Sequence, residues 1–274
     1  MAFFDKPFGL AGERKALAIL CLTFYMLMYG HLSLLLYNAP PDQPEVRGWW
    51  LCFAALAGTY GVAFFALAAD WFWARWFAIG LGYSGLTVAG WGMVTQKAID
   101  PVMLFYGATH GAIALFLQGQ KLAQQFDLKP GWRELLRLDE HGVERVRASV
   151  TRAAASLPTL ILVALAPREE TGEMLLLAGF GLCGLVLLRT WGVMLLGVVG
   201  ALLPVMLLSG HGHVALPMGH QALLGFPLVH QLGLISSAYL LAASAPFLRP
   251  IASLLKSRTA CATLCCASQA PTSK

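Results

Sequence analysis

Apolar residues dominate this chain in long runs, and charged residues mark where the runs stop. A helix needs roughly 20 apolar residues to cross a bilayer, with about 17 as a lower limit. By that measure the pattern predicts spans at about 16–37, 49–69, 77–95, 102–119, 150–167, 173–188, 192–209 and 221–245. The breaks are polar or rich in turn residues: NAPPDQPEVRG after the first span, DWFWARW after the second, QKAIDP after the third and PREETGE after the fifth. The apolar stretch from Met174 to Ser209 is interrupted only by Arg189 and Thr190. As one helix it would measure about 54 Å against a hydrocarbon core of about 30 Å. It is therefore expected to fold back at Arg189–Gly192.

Two segments depart from this pattern. Residues 120–149 are polar, with Val143, Val146 and Val150 at helical spacing and Glu144 three residues before Arg147. They read as a basic amphipathic segment lying on the cytoplasmic surface. Residues 246–274 form a polar tail without a core-forming pattern. The fifth span is the least apolar, with Arg152 at its start and Pro158 inside it. The expected fold is an all-α polytopic membrane bundle of about eight transmembrane helices, a single unit over 1–245.

Composition agrees with the periodicity. The chain is 58% hydrophobic and 12% charged, where soluble domains average about 25% charged residues. With the N-terminus inside, 16 of the 19 Lys and Arg residues fall on the inner side, leaving Arg47, Lys97 and Arg168 outside. The excess holds in short loops as well as the long one, as the positive-inside bias requires. Both ends are then cytoplasmic, which in a bacterium means the inner membrane. The net charge of +5 is explained by orientation and lipid headgroups, so no nucleic-acid partner is expected. The expected surroundings are the lipid bilayer and other subunits of a membrane complex. The first apolar run is too long for a cleavable signal. Cys21, Cys52 and Cys183 lie in apolar segments, and Cys261, Cys265 and Cys266 cluster in the tail without metal-binding spacing.

Candidate chemistry rests on histidine. His31, His110 and His230 fall inside spans one, four and eight, each about 9–14 Å below the outer surface at 1.5 Å per residue. His211, His213 and His220 sit in or beside the last outer loop. An ionisable group within a membrane is a functional candidate because placing it there is costly. His110 shares a helix face with Gly107 and Ala114, and His230 with Gly233 and Ser237, which marks both as facing other helices. His31 is surrounded by Leu27, Leu34 and Leu35, a weaker case.

No Asp or Glu lies deep in a span, which disfavours carboxylate relays and di-iron sites. Imidazole-only ligation remains: haem b with His110 and His230 as axial ligands, His31 at similar depth, or a copper or zinc ion held by His211, His213 and His220. The expected role is a cofactor-binding membrane subunit for electron transfer or within a larger complex. The alternatives are a non-catalytic scaffold whose histidines tie helices together, or a carrier for a lipid or other apolar molecule.

Overall fold

The computed structural model describes residues 11–40, 44–97, 99–127, 140–166, 172–187, 189–209 and 230–247. The expected amphipathic stretch at 128–139, the start of the last span at 221–229, the tail beyond 247, and His211, His213 and His220 lie outside them. Among the described residues there is no strand. The helices are α1 (Ala11–Tyr37), α2 (Pro44–Gly48), α3 (Trp50–Ala68), α4 (Ala74–Gln96), α5 (Pro101–Phe116), α6 (Gln120–Asp127), α7 (Glu140–Ala164), α8 (Gly172–Val186) and α9 (Thr190–Leu208), followed by α10 over 230–247.

Five described helices are long and apolar enough to cross a membrane: Ala11–Tyr37, Val46–Ala68, Ala74–Thr95, His141–Ala164 and Thr190–Leu208. A sixth is added if α5 and α6, bent by 71° at their junction, count as one span. The helix α8 has 15 residues, about 22 Å.

Local chemistry explains several boundaries. Asp100 caps α5, its Oδ1 accepting from Val102 N at 2.9 Å, and Pro101 occupies the first helical position, where its missing N–H is no loss. Gly119 has φ 119°, a left-handed turn that ends α5 and redirects the chain into α6. Asp70 takes φ 54° in the tight α3–α4 turn, a conformation its short polar side chain tolerates.

The order in space is α1 on α3, α5 against both α1 and α4, and α4 on α7, with α7 on α8 and α8 on α9. The last helix closes the second half. Ser237 donates to Gly200 O on α9, Ser236 bonds Thr159 on α7 at 2.6 Å, and Trp91 on α4 donates to Gln231 at 2.8 Å. The chain folds back between α8 and α9 as expected. Arg189 N bonds Gly184 O at 2.8 Å, and Gly192 lies against the backbone of Gly184 and Leu185.

One boundary differs from the sequence reading. A surface segment ending at 149 and a span starting at 150 are one helix, α7, 25 residues long and continuous through Pro158. Its apolar window is 72% buried, against 22% in α1. Low hydropathy here reflects a central position. Ser149, Ala153, Ala154, Ala155 and Ser156 are buried, Ala154 and Ala155 against Gly80 of α4, and small residues let backbones approach where lipid supplies no hydrophobic drive.

Candidate functional site

A cluster of polar side chains around His110 is built on α1, α3 and α5. Tyr25 and Tyr29 lie one turn apart on α1, and Tyr106 and His110 one turn apart on α5, so each pair shares a face. Tyr60 projects from α3 between them. His110 is fully buried, and both its ring nitrogens are engaged. Nδ1 lies 2.8 Å from Tyr106 O; because a carbonyl only accepts, this nitrogen carries the proton. Nε2 is then an acceptor, and the Tyr60 hydroxyl donates to it at 2.6 Å. The imidazole is neutral in this arrangement.

The ring is enclosed on its remaining sides. Tyr25 and Tyr106 each pack against it with centroids 4.1 Å apart and ring planes tilted by 44° and 43°, and a side chain at Gly85 of α4 would overlap the imidazole. Around this centre Tyr29 bonds the Tyr106 hydroxyl at 3.1 Å and Tyr25 bonds the Thr109 hydroxyl.

The structure does not bring the three candidate membrane histidines together. His31 is exposed, on the same outward side of α1 as Leu27, Leu34 and Leu35. His230 is buried at the start of the described part of α10. His110 rests on Gly85 of α4, whereas α10 is held by Thr87 and Trp91 of α4 through Tyr239 and Gln231. At 100° per residue those positions lie about 200° and 240° around α4 from Gly85, so α4 stands between His110 and α10. With both nitrogens engaged and both faces covered, His110 as it stands does not fit an axial haem ligand. Among the described residues no group of three or more His, Cys, Asp or Glu could hold a metal ion.

The second polar concentration lies at one end of the bundle. Lys15 pairs with Asp70 at 2.6 Å, and Arg75 with Asp127 at 2.9 Å. Arg14 donates to Leu115 O at 3.1 Å and to Gln118 O, and Arg75 Nε to Leu117 O at 2.7 Å. Two arginines thus satisfy the carbonyls left open at the end of α5, where positive charge is also favoured by the helix dipole. Trp76 Nε1 donates to the other oxygen of Asp127 at 2.8 Å. Burial lifts the Asp127 carboxyl above its usual range, and Arg75, Trp76 and Arg147 offset that rise only in part.

Beside this network a cleft of about 630 Å³ opens between α4, the α5–α6 junction, α7 and α10. Arg75, Arg147, Arg152, Gln118, Tyr83 and Tyr239 supply its polar lining.

Sequence reasoning singled out His110 and its packing face but missed its partners. The usable signal was tyrosine in mid-span: a buried phenol needs a hydrogen-bond partner, and Tyr25, Tyr29, Tyr60 and Tyr106 all fall away from the ends of the first, second and fourth runs. Comparison with protein-family models, with curated proteins and with solved structures gives no match.

Proposed function

We propose that this chain is an integral membrane protein that crosses the bilayer eight times with both ends cytoplasmic, and that its role is structural, as a scaffold within the membrane. The threading is supported by the charged residues. Arg14, Lys15, Asp70, Arg75 and Asp127 come from the ends of α1, α3, α4 and α6, yet they form one contact network. Up-and-down crossing with a common basic end produces that meeting. The spans are the five qualifying helices, α5, the short α8 and the run ending in α10, with α6 turned away by 71° to lie along the inner surface. At about 22 Å, α8 is accommodated by local thinning of the bilayer or by its neighbours.

The observation that carries the scaffold reading is His110. An imidazole deep in a bundle, with its two nitrogens held by Tyr106 O and the Tyr60 hydroxyl, ties α5 to α3 and leaves no open ligand position. Interhelical hydrogen bonds of this kind contribute about 0.6–2 kcal/mol each. His110→Ala also removes the packing against two tyrosine rings, so its expected cost is about 2–4 kcal/mol. Tyr60→Phe, which leaves Nε2 unpaired, should cost about 1–2 kcal/mol. Thermal unfolding in detergent measures both, and no loss in either variant would remove the basis for the tie.

The scaffold and cofactor readings separate on the purified full chain. The expected result is no absorption in the Soret region and no copper or zinc approaching one equivalent. Stoichiometric haem or metal, lost on replacing His230 or His211, His213 and His220, would overturn the scaffold reading in favour of a cofactor subunit. Reporter fusions at each loop test the threading. An odd number of crossings, or a C-terminus outside, would sink it.

A further inference from the structure

We propose that the cleft between α4, α7 and α10 is a binding site for a phosphate-bearing anion, the chemistry offered by an acidic phospholipid headgroup or by a free phosphate. Three guanidinium groups from two helices line it, Arg75 from α4 and Arg147 and Arg152 from α7, and among the described residues none that lines it is acidic. The three are not equally committed. Arg75 is already paired with Asp127 at 2.9 Å, with both side chains 8% exposed. Arg147 reaches Glu144 only at 3.5 Å, and both are well exposed, an arrangement that contributes little. Arg152 donates to a neutral acceptor, Ala242 O on α10, at 2.8 Å, and among the described residues it forms no ion pair. Arg147 and Arg152 therefore reach this cleft without a close, buried counter-charge of their own.

The rest of the lining suits the same ligand. Planar guanidinium groups offer paired N–H donors that match phosphate oxygens. Gln118, Tyr83 and Tyr239 add neutral polar groups, and Ile79 and Ala155 give an apolar wall. The volume of about 630 Å³ falls within the range of ordinary small-ligand sites. The cleft also lies at the basic end of the bundle, where Arg75 meets Asp127 and the end of α5. Orientation by the positive-inside bias requires basic residues at that end, but it does not require them to line one cleft. This inference stands independently of the scaffold reading.

The test uses the full-length protein in nanodiscs of phosphatidylcholine alone, or with phosphatidylglycerol added. Lipid retained on release into the gas phase is read by native mass spectrometry, and inorganic phosphate is titrated into the phosphatidylcholine sample with the melting temperature as readout. Arg147→Gln and Arg152→Gln should each weaken retention or the phosphate response about tenfold or more, and added salt should weaken it further. Arg189→Gln removes an exposed cation at the α8–α9 turn and should change neither. Arg152→Lys keeps the charge but loses the planar fork, so a partial loss there, with an unchanged melting temperature without ligand, separates binding from folding. A response to phosphatidylglycerol alone assigns the anion to lipid, and a response to phosphate assigns it to a soluble source. Absence of both responses, or equal loss in Arg189→Gln, overturns the proposal.

Discussion

Gly80→Val is expected to destabilise the bundle by more than about 3 kcal/mol, the scale of severe overpacking. A β-carbon at this position of α4 would sit 2.6 Å from Ala154 Cβ and 3.1 Å from Ala155 N, and would also collide with Thr151 O. Two of these neighbours are backbone atoms of α7, the most buried of the candidate spans, so the only relief is to move the helices apart. Separation would also strain the Thr159–Ser236 and Arg152–Ala242 bonds that join α7 to α10. Gly179 on α8 is the control, since nothing lies within 4 Å of a β-carbon there. Gly179→Ala should be neutral or stabilise by up to about 1 kcal/mol, through higher helix propensity. Unfolding of the two variants in the same detergent checks the contrast. Equal effects would mean that α4 and α7 do not pack through Gly80.

Asp127→Leu should cost about 3–5 kcal/mol, because it leaves the Arg75 guanidinium buried without its counter-charge. It also removes the acceptor for Trp76 Nε1. The double variant Arg75→Met with Asp127→Leu should recover part of that loss, since a buried pair replaced by apolar groups is often tolerated. It will not recover all of it, because Arg75 also satisfies Leu117 O at the end of α5. Arg75→Met alone should behave differently with pH. Burial already raises the Asp127 carboxyl, and removing Arg75 takes away the largest opposing influence. An acid whose folded value lies above its unfolded value of about 3.9 binds more protons when folded. The stability of Arg75→Met should therefore rise as pH falls from the raised folded value toward the ordinary carboxylate value. Melting temperatures across that range test the sign. A variant that loses stability on acidification, or a double variant as damaged as Asp127→Leu, would show that the pair is not buried as described.

The chemistry of the histidines was only half legible in the sequence. Gly107 and Ala114 beside His110 correctly marked a helix-facing side, because small residues on one face of an apolar helix have few other uses in lipid. Leu27, Leu34 and Leu35 correctly marked the weaker face of His31, and all three are exposed. Periodicity within one helix cannot say which partner arrives from another. The tyrosines that enclose His110 come from α1, α3 and its own helix, with sequence separations of up to 85 residues. Their convergence depends on how whole helices cross.

The apolar runs and their turn residues were enough to specify the helices of the described residues and the break at Arg189. Each of these follows from local chemistry: backbone groups must be satisfied inside the helix, and charge avoids hydrocarbon. Tertiary packing alone decided that the least apolar span, α7, is the central one, that Arg75 and Asp127 meet, and that α4 stands between His110 and α10. Burial against other helices and burial in lipid both favour residues that avoid water. A sequence records that avoidance without recording which neighbour provides it.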